Sequence, residues 1–349
     1  TPRYMAKCFG KMTYAMAAYV DSLDWSWRAL QRATEYGFDS FSTPQILAFG
    51  VELIEAGILT EEDLVGTDEY PPCPEEPEER FLWLMDRTAY RQGIGNLLAD
   101  GVYWAARAIG NGAEAFDHNT IKKHEQLPLK LGTLDPIYYL MYTTNEKISI
   151  TQIEGNWPQA AFPTMEMRDE FVRDWPQLPD DHFKQYVLDW EPRGEKSIPF
   201  FPTPYMCSEI VDWMEMMHNI DDACCICCGM SGFCLKPPWH IHNYPRVIQA
   251  ATGVEMDEEK LKKIVNRNRN LHRALNLRYG FRREDETPPE DHWKRRYPEL
   301  EKELLDTYYQ YKGWNLDGVP TKERLHELDL DYVAEDLMKR GILRDGENN

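Results

Sequence analysis

The chain has 349 residues, 28% of them charged and 42% hydrophobic, with a formal net charge of −20; it is long enough for one large domain or two ordinary ones, each with its own core. The negative charge is spread along the chain, which argues against a nucleic-acid partner, whose phosphates need a basic face. No apolar run reaches the roughly eighteen residues of a membrane span, clustered cysteines in a chain this large suggest a reducing cytoplasm, and a first residue of threonine suggests a C-terminal portion or a processed product.

From Cys8 the pattern is helical. Met12, Met16, Tyr19, Val20, Leu23, Trp27 and Leu30 recur at three-and-four spacing, predicting one amphipathic helix over 12–36 that Gly37 stops. Thr43 as N-cap, with Pro44 in the first turn, predicts a second helix through Ile54 that ends at Gly57. Thr60 and Asp63 have the spacing of a capping box. Residues 66–79, rich in Pro and Glu around Cys73, read as a surface loop. Helices are expected over 77–89 and 97–109, with Gly93 and Gly95 between them. That glycine pair lacks the Lys and Ser/Thr of a phosphate loop and follows no strand, so it reads as a point of close helix approach.

Between 127 and 201 periodicity fades among prolines and Trp157, Trp175 and Trp190, the pattern of a functional wall or an insertion. A helix over 206–220 follows, whose Met214, Met216 and Met217 read as core filler. Residues 219–234 then hold five of the eight cysteines beside Asp221 and Asp222. Cys224, Cys225, Cys227 and Cys228 lack the separated C-x2-C pairs of a zinc site, and neighbouring cysteines bridge one another poorly. One or two of these sulfurs are left as ligands of a group held partly from elsewhere, with the rest as small buried residues. His240 and His242 read as an ordinary pair. A charged helix is expected over 258–278 and two more after Pro298. The expected architecture is all-α, or nearly so.

Several stretches in order resemble the aldehyde:ferredoxin oxidoreductase family of tungsten enzymes. They are Glu35-Tyr36-Gly37-Phe38-Asp39 with Phe49-Gly50-Val51-Glu52-Leu53, Arg91-Gln92-Gly93-Ile94-Gly95, Asn270-Leu271-His272-Arg273-Ala274, and Gly313-Trp314-Asn315-Leu316-Asp317-Gly318. The resemblance implies two helical domains, one over 1–113 and one over 114–349 with an insertion near 155–205, without the N-terminal pterin-binding base domain. Together with that domain they would hold a tungsten bis-pterin beside a 4Fe-4S cluster. Each helical domain would offer an acid-bearing loop to one pterin, over residues 34–39 and 222–227. Asp39 and Asp222 would bind pterin, supported by Glu35, since a carboxylate accepts the parallel N–H donors of a pterin edge. Thr34 stands where the family commonly has an acid, and Cys225 where it has glycine. Cys227 matches the last cluster ligand, the other three being expected upstream.

Near the start, Cys8 sits where aldehyde oxidisers carry a non-sulfur residue, and a thiolate there could ligate tungsten. The stretch Tyr142-Thr143-Thr144-Asn145-Glu146 also departs from the aldehyde-oxidising pattern, with Thr151, Gln152 and Glu154 as the nearest polar groups. These departures resemble the class II benzoyl-CoA reductase family. That likeness implies low-potential reduction of an aromatic acyl-CoA, with Cys8 as metal ligand and Glu154 as proton donor. The implied partner is a ferredoxin or an iron–sulfur electron-transfer subunit. Aldehyde oxidation, a cofactor-free helical scaffold and a cofactor-binding chaperone are the alternatives.

Overall fold

The computed structural model describes residues 10–126, 136–146, 203–226, 244–289 and 296–344. By contact the chain forms two compact units, Thr1–Lys130 with Asp285–Lys294, and Leu131–Glu284 with Arg295–Asn349. Helices dominate both, as the sequence predicts; among the described residues the only paired strands are β1 (Thr120–Ile121) and β2 (His124–Glu125), a short antiparallel hairpin. None of the described helices is long and apolar enough to cross a membrane.

The first unit contains α1 (Gly10–Ala18), α2 (Leu23–Tyr36), α3 (Ser42–Glu55), α4 (Glu61–Leu64), α5 (Pro77–Tyr90), α6 (Gly95–Leu98) and α7 (Val102–Ile109). The single helix expected over 12–36 is therefore two. Tyr19 turns into the left-handed region at φ 52, and the Ser22 hydroxyl restarts the helix by accepting from the Trp25 N–H at 3.2 Å. The apolar stripe runs across this break, so periodicity alone conceals it. Trp25 and Tyr14 close edge-on against Phe81, with centroids 5.6 and 6.3 Å apart, and Leu47, Leu53 and Leu84 complete the buried centre.

The glycine pair behaves as expected at Gly95, where a Cβ would stand 2.1 Å from the Arg87 carbonyl carbon; α6 packs backbone to backbone on α5. Gly101, at φ 91, splits the helix expected over 97–109. The N–H of Val102, which begins α7 and has no partner within it, is taken by Glu125 Oε1 at 2.6 Å. Lys122 and Lys123 turn the hairpin at φ 52 and 64, a conformation that non-glycine residues adopt at a cost. Their ammonium groups meet Glu286 at 3.3 Å and Asp285 at 3.7 Å, and so hold the returning 285–289 segment in this unit.

The second unit contains α8 (Pro136–Thr144), α9 (Pro204–Ala223), α10 (Tyr244–Thr252), α11 (Glu258–Arg278), α12 (Pro298–Lys312), α13 (Lys322–Glu327) and α14 (Asp331–Lys339). Three helices follow Pro298 where two are expected. Thr321 makes the extra start, accepting from the Arg324 N–H at 3.2 Å while donating to the Gly313 carbonyl at 3.0 Å.

Charge lies at the centre of this unit. Arg269 of α11 is buried and grips Glu215 of α9 with two nitrogens, Nε at 3.1 Å and Nη2 at 2.8 Å. Its Nη1 meets Glu146 at 2.7 Å, and Nη2 also donates to the Thr144 carbonyl at 2.8 Å. Tyr308 donates to Glu215 at 2.5 Å, and Lys312 reaches Glu215 at 3.2 Å as well as Asp212. One guanidinium thus ties α8, α9, α11 and α12 together. Burial pushes the Glu215 carboxyl up to about 7, with Asp212 adding to the rise and Lys312 and Tyr308 opposing it.

Arg269→Leu leaves two buried acids without their shared cation and should destabilise the protein by about 3–5 kcal/mol in denaturant unfolding; a loss below about 1 kcal/mol would contradict this role. A carboxyl raised from 4.5 to about 7 binds its proton more tightly when folded. The stability it adds is therefore full below the lower value and lost as pH rises to the upper one. Glu215→Gln should flatten that part of the stability–pH curve.

Candidate functional site

Two helix ends carry the candidate residues. α2 stops at Gly37, which is left-handed at φ 76; the Gly37 N–H returns to the Thr34 carbonyl at 3.2 Å and the Phe38 N–H to the Ala33 carbonyl at 2.8 Å. These paired bonds satisfy carbonyls that the helix cannot, which is why a left-handed residue ends so many helices. α9 stops in the same way. The Cys225 N–H returns to the Asp222 carbonyl at 3.1 Å and the Ile226 N–H to the Asp221 carbonyl at 2.8 Å, with Cys225 at φ 57.

Residue for residue, the two turns place Thr34 against Asp222, Gly37 against Cys225 and Phe38 against Ile226. The carboxylate therefore stands before the turn in the second loop and after it, at Asp39, in the first. Cys225 occupies a glycine's conformation, at the position where the family resemblance implies glycine.

Electrostatics favour an N–H donor at both ends. A helix C-terminus is negative, yet neither α2 nor α9 has a basic residue in its last turn. Glu35 and Asp222 add carboxylates there, and both are exposed. Glu35 accepts from Gln31 Nε2 at 2.9 Å. Asp221, next to Asp222, is buried and accepts from the Tyr244 hydroxyl, so the two neighbouring acids divide into one that anchors α10 and one that faces outward.

Asp39 is also divided. Its Oδ2 accepts from the Phe41 N–H at 2.7 Å, the Ser42 N–H at 2.6 Å and the Ser42 hydroxyl at 2.9 Å. It is therefore Asp39, and not Thr43, that caps α3. The capping bonds fix the carboxylate and leave Oδ1 as an oriented acceptor. Burial, and then the charge of Asp39, push the Tyr14 phenol well above its ordinary range, so Tyr14 stays neutral beside the loop.

Glu35 and Asp39 thus share one loop, and Asp222 stands on the equivalent loop of the second unit. Cys8, Glu154 and Cys227 lie outside the described residues, as do Thr151, Gln152, His240 and His242. Among the described cysteines, Cys207 is buried, Cys73 is half-buried, and Cys224 and Cys225 are exposed as free thiols. Burial raises the Cys224 thiol, with Asp221 and Cys225 adding to the shift. The described residues hold no cluster of three or more metal-ligating side chains.

The donor set fits a pterin. Its aminopyrimidinone edge offers adjacent N–H groups, and what these loops present is oriented carboxylate and uncompensated carbonyl. Sequence reasoning missed the Arg269 network, although a signal was present. Arg269 and Arg273 lie one helical turn apart on the face of α11 that buries Ala274 and Leu277, and charge on an apolar face asks for buried partners.

Each of the two units of this mainly helical chain thus ends one helix in an outward-facing turn that carries acidic residues. Residues 2–330 match the family described as aldehyde ferredoxin oxidoreductase, domains 2 and 3, and the chain belongs to that family. It is 29% identical over 320 residues to the tungsten-containing aldehyde ferredoxin oxidoreductase of Pyrococcus abyssi, covering 86% of this chain and 44% of that protein. The enzyme of the same description from Pyrococcus furiosus is 27% identical over 311 residues, 85% of this chain and 44% of its own. The chain therefore spans somewhat under half the length of these relatives.

Among solved structures, it is similar to a chain of the active site complex BamBC of benzoyl coenzyme A reductase in complex with 1,5-dienoyl-CoA. The identity is 61% and the TM-score 0.91, over 99% of this chain and 52% of that one.

Cys225→Gly removes a side chain from a left-handed position and should raise stability by about 1 kcal/mol in thermal unfolding. A drop of that size would show that the thiol makes a contact worth more than the strain.

Proposed function

We propose that this chain is the helical part of a tungsten bis-pterin, iron–sulfur oxidoreductase that reduces the ring of an aromatic acyl-CoA. The observation that carries this reading is 61% identity across 99% of the chain to a protein of a benzoyl-CoA reductase complex, against 29% for an aldehyde ferredoxin oxidoreductase. In the reaction two electrons and two protons add to the ring, one π bond is lost, and a cyclic diene thioester results. The electrons come from an iron–sulfur electron-transfer subunit or a ferredoxin.

When bound, the tungsten pterin supplies a low-potential two-electron centre. This chain's residues would hold and orient it. Asp222 and the free oxygen of Asp39 accept pterin N–H groups, and the three capping bonds on the other Asp39 oxygen keep that acceptor from turning away. Glu35 adds negative potential at the same helix end. Cys227 is assigned as an iron ligand, Cys8 as the thiolate on tungsten and Glu154 as the proton donor to the ring. Free thiols and a low-potential centre suit a reducing cytoplasm. Aldehyde oxidation is the second reading, favoured by the matches to aldehyde ferredoxin oxidoreductases over 85–86% of the chain.

Assay of the full-length protein with benzoyl-CoA and with benzaldehyde separates the two enzymatic readings: consumption of the thioester is expected, and turnover of the aldehyde alone would reverse the assignment. Metal and pterin analysis tests the site. Asp222→Ala and Asp39→Asn should each lose pterin, the latter while keeping the cap on α3, because asparagine caps as well as aspartate. Cys227→Ala should lose iron. Retention of both cofactors by all three variants, or their absence from the wild-type protein, would count against the proposal.

A further inference from the structure

The two acidic loops hold their carboxylates by different means. Asp39 is fixed by bonds to its own side chain. Asp222 takes its direction from the last turn of α9, and that turn is pinned on two sides. Buried Asn219 accepts from Asn268 Nδ2 of α11 at 2.9 Å and donates its own amide to the Glu215 carbonyl at 2.8 Å. Buried Asp221 accepts from the hydroxyl of Tyr244, itself fully buried at the start of α10.

Asp221 is also the residue through which the left-handed turn closes, because its carbonyl receives the Ile226 N–H at 2.8 Å. Side chain and backbone of one residue thus tie the turn to α10. Consecutive side chains leave a helix about 100° apart. Holding Asp221 inward against Tyr244 therefore fixes the direction in which the exposed Asp222 leaves α9. The Ile226 bond spans Cys225, whose φ of 57 is a conformation that persists only where its surroundings hold it. The Tyr244 hydroxyl is one of those holds.

We infer that Asp221 and Tyr244 are positioning residues for the pterin acceptor Asp222, acting through the turn to aim its carboxylate. The inference rests on the pterin reading above and names what that reading needs beyond the acceptors themselves. Tyr244→Phe removes only a donor. A buried carboxylate deprived of a donor turns toward water, and the backbone of the turn moves with it.

The test follows the release of pterin, by its fluorescence after dilution, from the full-length, cofactor-loaded protein. Tyr244→Phe and Asp221→Ala should each release it about tenfold faster than the wild type, the effect of one hydrogen bond to a charged group. Asp221→Asn keeps an oxygen for the Tyr244 hydroxyl and should stay within about twofold. Thr321→Ala removes the cap of α13 in the same unit; it controls for mere loss of stability and should also stay within about twofold. The electron paramagnetic resonance signal of the tungsten centre should change in Tyr244→Phe and match the wild type in Asp221→Asn. Wild-type release rates in both Tyr244→Phe and Asp221→Ala, equal acceleration in Thr321→Ala, or an Asp221→Asn as fast as Asp221→Ala overturn the inference and leave the pterin reading standing. An Asp222→Ala that keeps pterin as the wild type does refutes that reading and this inference with it.

Discussion

A helix has to return its last carbonyls to hydrogen bonds, and in this chain the left-handed turn that does so also decides where the candidate carboxylates stand. At Gly37 and at Cys225 the same two backbone bonds close the helix, so the geometry of both loops follows from a requirement of the backbone. The side chains are then free to serve a ligand. Glycine meets that requirement without cost at the first loop. Cysteine meets it at the second with strain, which the packed helix beneath has to sustain.

The helix beneath the second loop is held by buried charge. Arg269, shared between Glu146 and Glu215, links four helices through bonds that tolerate little displacement. Buried ion networks are often no more stable than well-packed apolar residues of the same volume, so the network's contribution is better sought in uniqueness. Ion pairs with several simultaneous partners fix the register of α9 against α11 and α12, and with it the place where α9 ends and Asp222 emerges. In the first unit the equivalent support is mainly apolar, with Trp25, Tyr14 and Phe81 in edge contact. There Asp39 itself contributes by capping the helix that follows.

The all-α class, the start of α5, the close approach at Gly95 and the stop of α2 at Gly37 were legible in the sequence because each depends on local residues with narrow roles. Glycine stops a helix and proline begins one, whereas the cap of α3, expected at Thr43, falls to Asp39 because its carboxylate reaches the Phe41 and Ser42 amides. The break at Tyr19 was hidden because the apolar stripe on its two sides keeps one phase; Ser22 was the available sign. The hairpin at Lys122-Lys123 gave no sign, since its turn uses two lysines where asparagine and glycine are usual. Its ion pairs come from residues more than 150 positions away. Arg269 was concealed in a run of charges that reads as a solvated face, although its spacing with Arg273 places both on the buried side. The left-handed turn at Cys225 could be anticipated only through resemblance, because nothing about a cysteine announces a positive φ. Family membership came from motif order, and the acyl-CoA likeness from departures from that pattern at Cys8 and over residues 142–146; no single spacing rule encodes either.

The central claim is that Asp39 and Asp222 are the protein's hydrogen-bond acceptors for a pair of pterins. An experimental structure of the full-length, cofactor-loaded protein measures this directly. The account predicts an oxygen of each carboxylate within about 2.7–3.2 Å of a pterin nitrogen, with Asp39 Oδ2 still on the Phe41 and Ser42 amides. Pterins seated elsewhere, with either carboxylate facing only solvent, would contradict it.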